Sequence, residues 1–284
     1  SPDLVVIHGD RVEALAASIV CSTNYVRSAH IEGGEVSGTI DEVYRHCNTK
    51  LCSAHMVSSV DAKRRVIRLG EHPDRVFLLG SPELETHGKP TGVLLDDVLK
   101  RYEIPWTNYG ILIFHPVTSE IDNLKEQTKS FFSVLCESKR NFVTIAPNND
   151  PGTAHIFEAI NNLPSERFRL IPSMRFLYFS ELLRNAAVLV GNSSAGVREA
   201  PFLGLPSLDI GTRQNKRNVA PSIVRASPFD KKTINSFLNN YWGHKYQKNT
   251  SFGLGESSRL FEEILTNQQL WKLPLQKEFF DQTE

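Results

Sequence analysis

The chain repeats one pattern over most of its length, in which a short continuous apolar run is followed by a longer amphipathic stretch. Such runs are typical of buried strands in a parallel sheet, and the amphipathic stretches are typical of the helices that connect them. Candidate strands lie at 4–7, 26–31, 55–58, 76–79, 111–114, 142–146, 168–171, 187–190 and 207–210. Candidate helices lie at 12–21, 41–52, 61–69, 120–138, 151–162, 175–185, 195–203 and 257–265. The pattern predicts an α/β protein built on parallel sheets.

Turn-rich segments divide this pattern into two parts. The chain has 284 residues, more than the roughly 100–200 of a usual domain, and Gly, Pro and Ser cluster around 80–90. We predict two doubly wound domains that face a central cleft. The predicted ranges are 1–85 for the first domain, 86–110 for the connection, 111–256 for the second domain and 257–284 for a terminal helix and tail. Because the chain enters a strand at Leu4, we expect the first domain to be incomplete.

Charge and apolar patterning argue against several classes of function. Lys plus Arg and Asp plus Glu each number 32, so the formal net charge is zero, whereas nucleic-acid-binding domains usually carry a basic excess. No apolar run approaches the ~18 residues that span a bilayer. The four cysteines form no CxxC pair, which argues against a zinc site. We therefore predict a cytoplasmic protein that binds a small anionic molecule, and neither nucleic acid nor membrane.

Polar residues follow the predicted strands of the second domain, at the end of the sheet where α/β proteins bind ligands. The loop after 187–190 contains Ser193, Ser194 and Gly196. Its N–H groups, hydroxyls and helix start can bind a phosphate, although a helix-capping serine explains the same residues. Glu199 can accept both hydroxyls of a ribose or be a solvated helix charge. His115 can donate to a phosphate or a leaving oxygen, or be a structural histidine.

Acidic residues follow the predicted strands of the first domain. They are Asp10, Glu32 and Asp41, set among several glycines that leave room for close approach to the backbone. Carboxylates that converge in a cleft raise one another's pKa and act as general acids or bases, although a single acid after a strand is more often a helix cap. His8 and His30 lie near these acids, but their spacing matches no usual metal site. No metal is therefore predicted.

Five segments of the chain carry a family resemblance. They are HGDRVEALA (8–16), HIEGGEVSGTIDE (30–42), HPVT (115–118), GNSSAGVREAPFLGLPSLDIGTRQ (191–214) and FGLGESSRLFEEIL (252–265). Together they resemble the UDP-N-acetylglucosamine 2-epimerases, and the hydrolysing branch in particular. The resemblance implies two Rossmann-like domains in a GT-B-like arrangement, with 111–256 as the nucleotide-binding domain, and it suggests a homodimer. Family members carry a first β-α segment, which this chain is expected to lack.

The resemblance also implies a role for each polar residue. The implied catalytic residues are Asp10, Glu32, Asp41 and His115. The implied UDP-binding residues are Arg11, His115, Asn148, Ser193, Ser194, Gly196, Glu199 and Arg213. Among these, the two serines match the family's diphosphate-binding pair, and Glu199 matches its ribose-binding acid.

The implied reaction converts UDP-N-acetylglucosamine and water into UDP and N-acetylmannosamine through a 2-acetamidoglucal, without a metal or redox cofactor. This chemistry would feed the synthesis of sialic acid or capsule precursors. The non-hydrolysing epimerases lack the GGEVSGTID run, which favours the hydrolysing branch. A hydrolase of a modified amino-sugar nucleotide, a glycosyltransferase of the same architecture and a non-catalytic nucleotide-sugar sensor remain as alternatives.

Overall fold

A computed structural model describes residues 2–281 of the chain, which form two compact units. The first unit runs up to Gly88 and resumes at Thr250, and the second unit is Lys89–Asn249. The C-terminal stretch that the sequence sets apart as a helix and tail is therefore packed with the first unit. The stretch predicted as a connection, 86–110, is mostly part of the second.

The first unit contains a four-stranded parallel sheet with the strand order β1-β2-β3-β4. Its strands are β1 (Val5–His8), β2 (Ser28–Ile31), β3 (Ala54–Val57) and β4 (Val76–Leu78). Its first four helices are α1 (Val12–Thr23), α2 (Asp41–Leu51), α3 (Val60–Arg68) and α4 (Glu83–Gly88), with a short 3-10 helix at Pro73–Arg75. His8 pairs with Ile31, so the loops that follow β1 and β2 start side by side.

The second unit contains a six-stranded parallel sheet with the strand order β10-β9-β8-β5-β6-β7. Its strands are β5 (Gly110–Ile113), β6 (Phe142–Ile145), β7 (Phe168–Ile171), β8 (Leu189–Gly191), β9 (Ser207–Ile210) and β10 (Ile223–Ala226). Its helices are α5 (Leu95–Arg101), α6 (Leu124–Glu137), α7 (Thr153–Asn161), α8 (Phe176–Asn185), α9 (Glu199–Phe202) and α10 (Lys231–Asn240), with 3-10 helices at Thr118–Asn123 and Ser194–Gly196.

Strand β5 shows why the strands of this sheet are continuously apolar. Leu112 packs into one hydrophobic cluster, whereas Ile111 and Ile113 pack into another on the opposite face. Successive side chains of a strand point to opposite faces, so a strand with helices on both sides needs apolar residues at every position. The two-sided core in turn fixes where the loops after the strands leave the sheet.

The chain returns to the first unit through α11 (Ser257–Thr266) and α12 (Gln268–Lys272). Leu270 of α12 is fully buried in the same cluster as Ala29 and Met56 of the sheet. This packing explains why the first unit needs the C-terminal residues. Within residues 2–281, no helix is long and apolar enough to cross a membrane.

The predicted α/β fold with parallel sheets is confirmed, and every predicted strand is present with ends that differ by at most two residues. The sequence reading missed β10, α4, α5, α10 and α12. The predicted helix over 195–203 is confirmed only at Glu199–Phe202. The chain there forms a 3-10 turn and the four-residue α9, separated by Val197 and Arg198, whose backbone does not continue the helix. The loop after β8 therefore lacks the long helix dipole that the phosphate prediction partly relied on.

Candidate active site

Asp10 follows β1 and is held by a buried arginine. The Arg45 guanidinium donates to the Asp10 carboxylate through Nη2, and its Nη1 donates to the carbonyl of Glu35 at 3.0 Å. Arg45 lies on α2, one helical turn after Asp41, and only 1% of its side chain is exposed. A buried charge needs a partner, and Asp10 supplies it. The carboxylate of Asp10 is therefore fixed in direction by the helix that also carries Asp41.

Glu32 follows β2 in a backbone conformation that non-glycine residues rarely adopt, with a φ of +73°. Such a conformation costs about 1 kcal/mol or more and is often associated with functional sites. Its side chain is buried, and its Oε2 lies 3.8 Å from Nε2 of His8. The same nitrogen lies 3.6 Å from Oε1 of Glu83, whose other oxygen accepts a hydrogen bond from Ser81. Glu32 is thus a buried carboxylate beside an imidazole and a second acid.

Among residues 2–281, the side chains of His8, Glu32 and Glu83 form a cluster of three possible metal ligands, with ligand atoms within 4.8 Å of one another. Acidic groups often cluster without a metal ion. The contacts of the His8 imidazole with the two carboxylates, at 3.8 and 3.6 Å, account for this cluster. His30, which lies near the same acids in the sequence, is not part of this cluster. The ring of His30 is bonded instead to the carbonyl of Gly9 at 2.9 Å and to the Thr49 hydroxyl at 3.3 Å.

His30 supports the loop after β1. It is completely buried, and burial together with the nearby charge of Arg45 lowers the pKa of His30 to about 3 despite the hydrogen bond to Gly9. Its neutral ring therefore connects β2 to the Gly9 carbonyl at neutral pH. Asn48 of α2 donates to that same carbonyl at 3.3 Å, so the residue before Asp10 is held from two sides.

Asp41 is the first residue of α2 and is half-buried. Its Oδ2 accepts a hydrogen bond from the Thr39 hydroxyl at 3.0 Å, and Glu42 accepts one from the backbone N–H of Ser37 at 2.6 Å. Glu42 therefore caps the preceding loop, whereas the hydrogen bond from Thr39 engages only one of the two carboxylate oxygens of Asp41. A carboxylate at the N-terminus of a helix is favoured by the helix dipole.

Two of the glycines near these acids, Gly33 and Gly34, serve internal packing. A Cβ at Gly34 would lie 2.3 Å from the carbonyl oxygen of Ala62 on α3, and the φ of Gly34 is +77°. A Cβ at Gly33 would lie 3.0 Å from the Thr49 hydroxyl. The expectation that these glycines leave room for a ligand is wrong in their case, because helices of the same unit occupy that room.

In the second unit, His115 follows β5 and is a neutral hydrogen-bond donor. Its Nδ1 accepts a hydrogen bond from the backbone N–H of Asn148 at 3.1 Å, which places the ring proton on Nε2. Burial, and then the positive charge of Arg213, lower the pKa of His115 to about 3, although Asp150 opposes this. The side chain of Asn148 donates to the carboxylate of Asp150. The loops after β5 and β6 therefore meet at His115.

The loop after β8 has features of both a helix-capping serine and a phosphate-binding loop, the two interpretations that its sequence allows. The Ser193 hydroxyl accepts a hydrogen bond from the N–H of Ala195 at 3.3 Å, as a capping serine does, and both Ser193 and Ser194 remain partly exposed. A capping hydroxyl still has its own proton to donate to an anion. Gly196 is buried, and a Cβ there would meet Leu189 at 3.1 Å, so packing explains this glycine. Glu199 is buried, which excludes a solvated helix charge.

Arg213 lies in the loop after β9 and contacts the loop after β8. Its Nη1 donates to the carbonyl of Asn192 at 3.3 Å, and Gln214 donates to the same carbonyl at 2.9 Å. Arg11 belongs to the first unit, where it is exposed and precedes α1. The structure therefore brings His115, Asn148 and Arg213 together in one unit, with Ser193 in the adjoining loop, and keeps Arg11 with Asp10 in the other.

Three residues of these sites were missed in the sequence. Arg45 could have been found from its position four residues after Asp41 on an amphipathic helix, since residues at that spacing share a face. Asn192 could have been found as the first polar residue after a buried strand. No sequence pattern identifies Glu83, because its approach to His8 depends on how the strands assemble into the sheet.

The two units define a parallel α/β protein with a carboxylate-rich loop edge in one unit and a loop edge rich in amides, hydroxyls and guanidinium in the other. A comparison with protein families narrows this class. The chain belongs to the UDP-N-acetylglucosamine 2-epimerase family, whose model matches residues 1–266. The family resemblance predicted from the motifs is confirmed.

Known relatives support this membership over almost the whole chain. A protein of Neisseria meningitidis serogroup B named UDP-N-acetylglucosamine 2-epimerase is 39% identical over 99% of this chain and 75% of its own length. A protein of Legionella pneumophila named UDP-N,N'-diacetylbacillosamine 2-epimerase (hydrolyzing) is 34% identical over 79% of this chain. This chain spans 60% of the Legionella protein's length.

Solved structures share the fold. The structure of Methanocaldococcus jannaschii UDP-GlcNAc 2-epimerase in complex with UDP-GlcNAc and UDP matches with a TM-score of 0.78 at 19% identity, over 93% of this chain and 76% of that one. A Neisseria meningitidis UDP-GlcNAc 2-epimerase bound to UDP-GlcNAc matches with a TM-score of 0.73 at 18% identity, over the same shares of the two chains. At this identity the likeness concerns the fold.

Proposed function

We propose that this protein is a hydrolysing UDP-N-acetylglucosamine 2-epimerase, which converts UDP-N-acetylglucosamine and water into UDP and N-acetylmannosamine. The observation that carries the proposal is the set of acids after β1 and β2, with Asp10 fixed by Arg45 and Glu32 buried in a strained backbone. Inversion at C2 requires proton transfer on both faces of the sugar ring, which one carboxylate cannot provide.

The first half of the reaction is an elimination. A carboxylate removes the proton from C2 of the sugar, a C1–C2 double bond forms, and the C1–O bond breaks so that UDP leaves with its electron pair. We assign the proton-handling pair to Glu32 and Asp41, with Asp10 also required. The proposed intermediate is 2-acetamidoglucal.

The second half is an addition of water. The second acid delivers a proton to C2 from the face opposite to the one deprotonated, while the water oxygen bonds to C1 and loses a proton that restores this acid. The first carboxylate releases the proton taken from C2 to solvent. The sum consumes one water molecule and yields free UDP and the inverted sugar. Proton transfers of this kind each contribute on the order of 10²–10⁴ in rate.

The second unit is assigned to the nucleotide. Because His115 is neutral with its proton on Nε2, it acts as a hydrogen-bond donor to the leaving diphosphate and does not act as a strong acid. We assign the hydroxyls of Ser193 and Ser194, and the guanidinium of Arg213, to the same diphosphate, as preorganised donors that stabilise developing negative charge. Buried Glu199 is assigned to the ribose hydroxyls. Asn148 of this unit and Arg11 of the first unit are assigned to nucleotide contacts.

Support for the hydrolysing branch comes from the GGEVSGTID run and from the names of relatives. The Legionella relative is named as hydrolysing, and so is a Campylobacter jejuni relative that is 31% identical over 78% of this chain. Both of these names specify a diacetylbacillosamine nucleotide as substrate. A modified amino-sugar nucleotide is therefore the second candidate substrate, and a substrate panel distinguishes the two. The homodimer remains a prediction. Light scattering coupled to size-exclusion chromatography would measure the oligomeric state.

Turnover in deuterated water tests the proposal. The released N-acetylmannosamine should carry one deuterium at C2, and free UDP should appear in equal amount. Retention of the original C2 proton in all of the product would exclude the elimination. Persistence of a UDP-linked mannosamine without free UDP would instead identify the non-hydrolysing reaction.

The Asp41→Asn variant tests the residue assignment. Asn retains an acceptor for the Thr39 hydroxyl, so we expect a normal fold. Loss of the carboxylate should lower turnover at least ~10²-fold, which corresponds to about 3 kcal/mol of transition-state stabilisation. Near-normal turnover in this variant would assign the proton transfer to another acid.

A further inference from the structure

Asn192 connects two loops of the second unit whose residues are assigned to the diphosphate. It is the residue directly after β8, it is 1% exposed, and its N–H donates to the carbonyl of Ile113 on β5 at 3.0 Å. Its neighbour Gly191 has a φ of +131°, and a Cβ there would lie 1.9 Å from the Ile113 carbonyl oxygen. The chain therefore crosses the end of β5 at a separation that only glycine permits, and this brings the Asn192 side chain against the next residues of that strand.

The side chain of Asn192 pairs with the main chain of His115 through two hydrogen bonds. Its Oδ1 accepts from the His115 N–H at 2.7 Å, and its Nδ2 donates to the His115 carbonyl at 2.8 Å. An amide is the uncharged side chain that offers a donor and an acceptor side by side. The pair fixes the backbone from which the imidazole projects, while Asn148 fixes the ring through Nδ1.

The main-chain carbonyl of Asn192 holds the loop after β9. It accepts hydrogen bonds from Arg213 and from the buried amide of Gln214. One buried residue therefore binds both the loop that carries His115 and the loop that carries Arg213, and it directly precedes Ser193.

We propose that Asn192 is a positioning residue for the diphosphate site, which sets the direction of His115 and Arg213 without contacting the substrate. The proposal rests on the proposed function, because it takes these residues to be the diphosphate ligands. A residue that only stabilised the fold would affect unfolding, whereas a positioning residue also affects the affinity for the anion.

Binding of UDP by the Asn192→Ala variant, measured by calorimetry, tests the proposal. We expect the Kd for UDP to rise about 10- to 100-fold, the effect of lost hydrogen bonds to a charged group. The matched control is Tyr109→Phe, which also removes a buried hydrogen bond of this unit, from the Tyr109 hydroxyl to the Leu182 carbonyl at 2.9 Å. It should lower the melting temperature without changing the Kd. An Asn192→Ala protein that is destabilised but binds UDP as tightly as the wild type would refute positioning.

The Asn192→Asp variant provides a second, pH-dependent readout. An ionised aspartate can accept from the His115 N–H but repels the His115 carbonyl, whereas a protonated aspartic acid offers the same donor and acceptor as asparagine. Burial raises the pKa of a carboxyl group, so protonation is reached in mildly acidic buffer. The ratio of variant to wild-type Kd should therefore fall about tenfold from roughly pH 8 to roughly pH 5.5. An unchanged ratio would contradict the role of the amide pair.

A ligand-free measurement separates this proposal from the proposed function. The imidazole resonance of His115, assigned with a His115→Asn variant, should not titrate between about pH 5 and 8 in the wild type, because its pKa is about 3. In Asn192→Ala it should titrate towards the ordinary value near 6.5, since the loop that buries the ring is released. A wild-type protein that bound no UDP would overturn the proposed function, and the His115 resonance would then decide the role of Asn192 alone. A His115 resonance that keeps the wild-type chemical shift and still does not titrate in Asn192→Ala would overturn positioning.

Discussion

Replacement of Arg45 by methionine tests the central contact of the first unit. Methionine is similar in length but leaves Asp10 without its cation and the Glu35 carbonyl without its donor. Breaking a buried ion pair by removing one partner costs about 3–5 kcal/mol. The Asp10 side chain is 22% exposed and can recover some hydration, so we expect the lower limit, a loss of about 3 kcal/mol in the free energy of unfolding. Turnover should fall at least about tenfold, because Asp10 loses its fixed direction.

Urea unfolding followed by tryptophan fluorescence measures this loss in the correct unit. Of the three tryptophans, Trp271 alone lies in the first unit, so a background with Trp106 and Trp242 changed to phenylalanine reports on that unit. The control is Arg64→Met, which removes an ion pair whose side chains are 67% and 66% exposed. Exposed pairs contribute about 0–1 kcal/mol. If Arg45→Met cost no more than Arg64→Met, the argument that Arg45 fixes Asp10 would be refuted.

Two further predictions concern stability. Burial lowers the pKa of His55 to about 4, so the unfolded chain, in which histidine titrates near 6.5, binds the proton more tightly. The stabilising contribution of neutral His55 is complete above about pH 6.5 and falls as the pH drops towards 4. The His55→Gln variant should therefore show a weaker pH dependence. In urea titrations, the slope of its unfolding free energy against pH should be smaller by about 1.4 kcal/mol per pH unit between about pH 4.5 and 6. Gly34→Ala should destabilise by about 2 kcal/mol more than Gly9→Ala, because both have a positive φ but only at Gly34 would the Cβ meet backbone, the Ala62 carbonyl. Equal urea midpoints would contradict this.

The strands were predictable because their signal is local. A strand buried on both faces is a continuous apolar run in the sequence, as 111–114 and 142–146 show, and the same helices that bury it also fix the loop that follows. This is why the polar residues after β1, β2, β5 and β8 could be chosen as site residues. Strand β10 was missed because it is only half-buried and has Arg225 within it, so it lacks the apolar run.

The contacts that orient the site residues could not be predicted, because they join segments that are distant in the sequence. Arg45 contacts Asp10 across 35 residues of sequence, and Asn192 contacts His115 across 77. For the glycines, the sequence predicted a ligand contact that the structure replaces with internal packing. Gly34 suggests room for a ligand when it is considered alone, but the approach of α3 is what excludes a side chain there. A small residue in a loop therefore indicates close approach without indicating which group approaches.

Helix α2 shows how the C-terminal segment contributes to the same site. Its last carbonyls have no partner within the helix, and Lys277 donates to the carbonyls of Thr49, Lys50 and Cys52 at 2.9, 3.0 and 2.8 Å. The ammonium group is balanced by buried Glu71 at 2.6 Å, and a cation at a helix C-terminus is favoured by the helix dipole. The opposite end of this helix carries Asp41, and Arg45 lies one turn further on. A lysine from the far end of the chain therefore anchors the helix that orients the acids, which is a physical reason for the first unit to include the C-terminal segment.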